Sequence, residues 1–292
     1  MKVLVTGANG QLGRDCLAIL GQRHEVAGCD LPHVNITEPG DVRRILDQEE
    51  PDAIVNCAAF TRVDDCETQR DAAWRANALG PGVLAGACGN ALLVHISTDY
   101  VFDGERPPPT PYTEPDATNP QSWYGATKLE GEQRVMSAAR RWMILRTAWL
   151  YGFHGRNFPK TMLRLARREP DKPRRVVSDQ FGCPTWSETL ARQIETLVGA
   201  GRTGLFHAVA EGHTTWYDFA RCFLDALGVA HRIEPCRMAD YPLPARRPRN
   251  SILANARLHA TDIARMADWR QDVERFANRH RDALLSEADA TP

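Results

Sequence analysis

The sequence predicts an α/β protein: a doubly wound parallel sheet followed by a smaller C-terminal lobe. Short β-branched runs alternate with amphipathic stretches through the first half of the chain, the pattern of a parallel sheet covered on both faces. The first run leads into a glycine-spaced turn, Gly7-Ala8-Asn9-Gly10-Gln11-Leu12-Gly13. Beyond about residue 149 the texture changes, with more proline and arginine and longer irregular pieces.

Val3-Leu4-Val5-Thr6 reads as the first strand, and residues 12–20 as the first helix, with Leu12, Cys16, Ile19 and Leu20 on one face. Residues 25–30 give a second strand, 42–48 a short helix, 53–56 a third strand, 72–86 a helix and 92–97 a fourth strand. A helix carrying Tyr124 and Lys128 runs to about residue 138, and 143–147 is the next strand. Right-handed crossovers are the default for such repeated β-α units. Further on, helices are expected at 187–198, 217–227 and 273–285, and the strand-like residues 205–209 are able to return to the main sheet. The chain thus divides into residues 1–149 and a second lobe made mainly of 150–292, whose polar end from Ser286 to Pro292 is expected to fray.

The 292 residues, 43% hydrophobic and 25% charged, supply a large core. A net charge of -1 gives no attraction to nucleic acid or an anionic membrane, so neither is an expected partner. Met1 leads directly into the first strand with no basic and apolar leader, and no apolar run approaches a membrane span; a cytoplasmic location is expected. The eight cysteines are scattered, with no C-x-x-C and no zinc-like spacing, and read as reduced, structural thiols.

The turn Gly7-x-x-Gly10-x-x-Gly13 lies between a strand and a helix. There the missing Cβ atoms let a pyrophosphate approach the helix N-terminus, where free N–H groups and the dipole favour negative charge. A tight turn without a ligand is the plainer alternative. Asp30, ending the second strand, is placed to accept adenosine ribose hydroxyls and repel a 2′-phosphate, whereas Arg14 would pair with one; NADPH and NADH both stay open. Asn35 and Ile36 are expected beside the adenine, and Ala58-Ala59-Phe60 along the cofactor's path.

Tyr124 and Lys128 stand at i and i+4 and share a helix face. A free tyrosine titrates near ~10 and donates a proton efficiently only when the phenolate left behind is stabilised, as a nearby ammonium would do. Thr98, at a strand's carboxyl end, has a hydroxyl to hold a substrate carbonyl. The Y-x-x-x-K spacing by itself usually marks an exposed helix; joined to Thr98 and the glycine turn it points to carbonyl reduction by hydride and proton.

Three segments carry a resemblance: Ser97-Thr98-Asp99-Tyr100-Val101-Phe102-Asp103-Gly104, Tyr124-Gly125-Ala126-Thr127-Lys128, and Arg146-Thr147-Ala148-Trp149-Leu150-Tyr151-Gly152. With Asn157-Phe158-x-Lys160, Asp179-Gln180-Phe181-Gly182-Cys183-Pro184-Thr185 and Arg247-Pro248-Arg249-Asn250-Ser251, they resemble the extended short-chain dehydrogenases, and within them the dTDP-4-dehydrorhamnose reductase family. The resemblance implies a Rossmann-type fold with a C-terminal substrate lobe, and NAD(P)H-dependent reduction of a dTDP-linked 4-keto sugar at C4. It further implies that Asp99, Tyr100 and Trp149 contact the sugar, that Asn157 forms part of the substrate wall and that Arg247 lies near the thymidine diphosphate. From the residues alone, Arg247 equally fits a solvated basic loop and Trp149 a core position.

Some members of this family are dimers sharing a metal through acids at the places of Asp15 and Glu188. Here the stretch from Arg275 to Arg281 is basic where a further carboxylate would be wanted, so no metal ligands are assigned, Mg2+ is at most an accessory, and monomer and homodimer stay open. Other readings are a reductase of another dTDP-4-keto-6-deoxysugar, a non-catalytic nucleotide-binding subunit, and an epimerase or dehydratase. A binding subunit needs no proton donor, and the dehydratases usually carry a carboxylate pair where Asp99 is followed here by Tyr100.

Overall fold

The computed structural model describes residues 1–290. Strands β1 (Lys2–Thr6), β2 (Glu25–Cys29), β3 (Ala53–Asn56), β4 (Leu92–Thr98) and β5 (Trp142–Thr147) lie parallel in one sheet, and Gly204–His207 joins it beside β5. The order is β2-β1-β3-β4-β5 and then this sixth strand. Winding reverses between β1 and β3, and ligands of open parallel sheets bind at the carboxyl ends of the strands where such a reversal opens a crevice.

Alternate side chains along each strand enter opposite apolar layers. Val3, Val5, Val55, Leu92, Val94, Met143 and Leu145 belong to one, and Leu4, Ile54, Leu93 and Ile144 to the other. Burial of both faces is the reason the strands read as unbroken apolar runs. The first layer is closed by the helices Gln11–Leu20 and Ser187–Gly199, and the second by Pro39–Glu49, Gly80–Ala87 and Trp123–Ala138. Leu4, Ile54 and Leu93 are fully buried. Truncating any of them to alanine would leave a cavity costing about 2–5 kcal/mol.

The helix expected over 72–86 is three consecutive segments: Arg70–Trp74, a wide π-helical turn Arg75–Leu79, and Gly80–Ala87. Pro81 has no N–H to return to the Asn77 carbonyl, which opens the turn. The helix Phe158–Arg168 has no counterpart among the expected elements. Asn157 caps it, Oδ1 accepting the Lys160 N–H at 3.1 Å, and Pro159, Met162, Leu163 and Ala166 are buried along it.

A third core of Tyr151, Trp186, Phe219, Phe223, Trp269 and Phe276 fills the second half of the chain. The terminal helix Trp269–Ala290 continues through Ser286 to Ala290 instead of fraying, because Leu284 and Ala288 are buried on it; residues 291 and 292 of that expectation lie outside the described residues. No helix among the described residues is long and apolar enough to cross a membrane. The cysteines are all free, and burial pushes the Cys29 thiol up to about 11 and the Cys183 thiol to about 12.

Candidate active site

The glycine turn follows β1 at the reversal point. Gly7 has φ +65°, and a Cβ there would stand 2.6 Å from the Ala58 nitrogen in the loop after β3. At Gly13 a Cβ would stand 2.1 Å from the Gly7 carbonyl oxygen, so the helix can follow the strand this closely only with glycine. Gly10 is the N-cap residue and contributes no capping side chain, which leaves the first-turn N–H groups of Gln11, Leu12 and Gly13 without intrahelical partners. Leu12 itself anchors the helix in the core. A turn drawn tight by Gly7 and Gly13 and ending on open N–H donors fits a dinucleotide pyrophosphate.

Beside it, a cavity of about 80 Å³ is lined by Gly7, Asp30, Asn35, Ile36 and Ala58. The structure thus brings together five candidates spread over three loops, with Ala59 next in the chain. Asp30 ties the two ends of this pocket: Oδ2 accepts the Asn9 N–H and Oδ1 the Leu31 N–H, each at 2.8 Å. Arg14 donates Nε to the Asn9 carbonyl at 3.1 Å and is otherwise exposed. Asn35 accepts the Thr37 N–H at 3.1 Å, which shapes the loop.

The proton-transfer residues meet at the carboxyl end of β4. Ser122 caps the helix Trp123–Ala138, accepting the Gly125 N–H at 3.1 Å. Gly125 lets that helix approach the Tyr100 carbonyl, from which a Cβ would stand only 2.2 Å. Thr98 ends β4 and donates Oγ1 to Asp99 Oδ1 at 2.9 Å. Burial raises the Tyr124 phenol well above its ordinary value, and the neighbouring Thr98 hydroxyl opposes that rise. Lys128, 2% exposed, donates Nζ to the Ile96 carbonyl at 2.6 Å, and burial lowers it to about 8.

The sugar-contact candidates separate into two groups. Tyr100 meets the Tyr124 ring edge-on at 5.5 Å, and the Arg247 guanidinium lies 6.0 Å from the Tyr100 ring. Asp99 is 2% exposed with Oδ2 unpartnered, and burial raises its carboxyl to about 6 against the hydroxyls of Ser251 and Thr98. By contrast, Trp149 is a core residue, its ring stacked on Trp216 at 3.6 Å with Gly182 against its indole. Asn157 donates Nδ2 to the Gly152 carbonyl at 2.7 Å and to Gln11 Oε1 at 2.8 Å, so its amide clasps the glycine turn while capping its own helix.

Arg247 also lines a cavity of about 1020 Å³ with Arg106, Arg246, Arg249, Phe181 and Tyr241. Tyr124 is not in its wall; Arg247 and Tyr100 connect it to the phenol. The cluster offers planar donors to a diphosphate and aromatic faces to a base.

The acids at the metal positions of the resemblance do not fit a cation. Burial alone would raise Glu188, but Arg279 and Arg192 hold it below the usual carboxylate range. Asp15 accepts the Ser187 hydroxyl instead. Among the described residues no group of three or more His, Cys, Asp or Glu is placed to hold a metal ion.

Several buried polar residues at the site have no place in the motif reading. Asn77 accepts the Phe60 N–H at 2.8 Å and donates to the Phe60 carbonyl and Thr127 Oγ1, locking the loop after β3 to the Tyr124 helix. Glu132 forms a two-pronged pair with Arg146 at 2.9 and 2.7 Å. For some the signal is a polar residue inside an apolar segment, as with Arg146 after Met143-Ile144-Leu145 and His95 within Leu92-Leu93-Val94-His95-Ile96; Glu132, between Glu130 and Gln133-Arg134, carries none.

Residues 1–281 match the family described as RmlD substrate binding domain. A dTDP-4-dehydrorhamnose reductase of Burkholderia thailandensis is 39% identical, covering 94% of this chain and 97% of that protein. A probable dTDP-4,6-dihydroxy-2-methyloxan-3-one 4-ketoreductase of Streptomyces antibioticus is 42% identical over 92% of both chains. The crystal structure of dTDP-4-dehydrorhamnose reductase from Bacillus anthracis in complex with NADP superposes with a TM-score of 0.91, at 35% identity and covering 95% of this chain and 99% of that one. This chain belongs to the dTDP-4-dehydrorhamnose reductase family.

Proposed function

We propose that this oxidoreductase reduces the C4 keto group of dTDP-4-dehydro-L-rhamnose to dTDP-L-rhamnose, a step of nucleotide-sugar biosynthesis. The observation that carries the reading is the Thr98 hydroxyl set against the Tyr124 phenol at the carboxyl end of β4, next to an arginine-lined cavity. When bound, the reduced nicotinamide supplies a hydride to the carbonyl carbon. Thr98 and Tyr124 hold the carbonyl oxygen. Burial keeps the phenol protonated, so Tyr124 gives its proton to that oxygen as it becomes an alkoxide. Lys128 stands one turn away as the charge-bearing partner, and Arg247 takes the diphosphate.

On this reading residues 1–149 are the dinucleotide-binding domain and 150–292 mainly the substrate lobe, with Gly204–His207 returned to the main sheet. The donor is NADPH or NADH: Asp30 favours free ribose hydroxyls, and Arg14 lies within the same turn to meet a 2′-phosphate. A cytoplasmic monomer or homodimer without a metal is part of the same proposal. The Streptomyces antibioticus relative favours a second reading, a 4-ketoreductase of another dTDP-linked deoxysugar.

Absorbance monitoring of NADPH and NADH oxidation with enzymatically generated dTDP-4-dehydrorhamnose tests the proposal. Consumption with formation of dTDP-L-rhamnose is expected, and no consumption with either dinucleotide overturns it. A 4-epimer as product would select the second reading.

A further inference from the structure

Side chains from three neighbouring strands form a buried polar ladder that ends at Lys128. Thr6 pairs in register with Asn56 across β1 and β3, and Asn56 with His95 across β3 and β4. Thr6 Oγ1 donates to Asn56 Oδ1 at 2.7 Å, Asn56 Nδ2 lies 3.1 Å from His95 Nδ1, and His95 Nε2 lies 3.5 Å from Lys128 Nζ. All four residues are buried. Polar groups in the middle of an apolar sheet persist when each donor meets an acceptor, because an unpaired one is costly.

The first rung sets the direction of the rest. With its oxygen taken by Thr6, Asn56 turns its amide N–H toward His95 Nδ1, which therefore accepts. A neutral imidazole then carries its proton on Nε2, facing Lys128. The ring is neutral because burial, aided by the lysine charge, holds it well below its ordinary value. Lys128 Nζ donates to Ile96 and can meet an N–H only as an acceptor, which requires the neutral amine.

The other groups around this nitrogen are Glu132 on its own helix and Cys57 after β3, both favouring the ammonium; Arg146 from β5 offsets Glu132 through their two-pronged pair. Gly131 lets the helix come this near, since a Cβ there would stand 3.4 Å from His95 Nε2 and 2.2 Å from the Asn77 carbonyl.

We propose that His95 is a positioning residue for the proton-transfer pair: it fixes Lys128 Nζ and favours the neutral amine by donating Nε2–H to it. At about 8 the lysine still carries its charge at neutral pH, and His95 sets how far above neutrality that charge is lost. The inference rests on the reading of Tyr124 and Lys128 given above, but its first test needs no turnover.

Lys2, Lys128, Lys160 and Lys172 are the lysines of the chain, so isotope labelling of lysine nitrogen lets NMR follow Lys128 in the cofactor-free protein. A titration near pH 8 is expected, well below the ordinary lysine value. In His95→Phe it should rise by about one pH unit, the effect of losing one hydrogen bond to the neutral form. His95→Gln, with an amide donor, should restore much of the difference. Thr6→Val removes only the hydroxyl that orients Asn56, and should give a smaller rise.

In turnover, the alkaline limb of the kcat profile should move with the lysine while KM for the sugar holds. An unmoved or lowered lysine titration in both His95→Phe and Thr6→Val overturns the proposal, as does activity lost equally at all pH with that titration unchanged. A lysine that shifts as expected in a protein that turns over no keto sugar would support the ladder and sink the functional reading.

Discussion

Arg247 Nη2 lies 2.7 Å from Asp64 Oδ2, an ion pair spanning 183 residues of sequence that fixes the C-terminal arginine loop against the helix Val63–Thr68. The pair is partly buried, and Arg247 Nη1 is left without a partner. A held guanidinium with a free donor is preorganised for a phosphate oxygen.

Arg247→Ala should therefore raise KM for the dTDP-sugar about 10- to 100-fold, the effect of a lost charge-assisted hydrogen bond, with kcat changed far less. Asp64→Asn, which frees the guanidinium without removing it, should raise KM by a smaller factor. Steady-state kinetics at saturating dinucleotide read both. An unchanged KM in Arg247→Ala would place the diphosphate elsewhere in the arginine-lined cavity.

Tyr124→Phe removes the proton but keeps the ring that meets Tyr100. A loss of about 10²- to 10⁴-fold in kcat is expected, the usual worth of general acid catalysis. Dinucleotide affinity, measured by fluorescence titration, should stay within a few-fold, since the glycine turn and the Asp30 pocket are untouched. Thr98→Val should show a milder version of the same split. Substantial turnover by Tyr124→Phe would mean that another group delivers the proton.

Asp30 holds a negative charge where the adenosine ribose would lie, although both its oxygens already accept backbone N–H groups. Asp30→Asn should raise the ratio of kcat/KM for NADPH over NADH roughly tenfold by removing like-charge repulsion with the 2′-phosphate, about 1.4 kcal/mol. Thermal denaturation run alongside checks that the loop survives the change. If the ratio stays where it was, the ribose does not lie against this side chain.

The sheet was legible because its strands are apolar on both faces, and each helix expected in the first half fell within a few residues of its place. The wide turn at Arg75–Leu79 was not, since nothing local says that Pro81 will leave the Asn77 carbonyl free. At the site, spacing alone located the glycine turn and the Tyr124 helix. Trp149 and Asn157 were harder, because an aromatic ring and an amide fit a ligand or a structural contact equally well. The packing of Trp216 on the one and the clasp to Gln11 on the other come from distant parts of the chain that no local pattern announces. The ladder from Thr6 to Lys128 joins residues far apart in sequence, and strand register is what brings them into line.

Asp99 gives a prediction for stability. Burial carries its carboxyl from the ordinary 3.8 to about 6, so between those values the folded protein binds more protons than the unfolded chain. Stability contributed at this site is therefore lost as pH rises through that window: the cost is absent below about pH 4 and complete above about pH 6, where it amounts to roughly 2–3 kcal/mol. Asp99→Asn removes the ionisation and can still accept from Thr98. In the cofactor-free protein its melting temperature should exceed that of the unsubstituted chain by several degrees at pH 8, with the gap closing near pH 4. Equal melting at pH 8 would show that the unpartnered oxygen is solvated in solution, and that the buried charge is not held in reserve for a hydroxyl of the sugar.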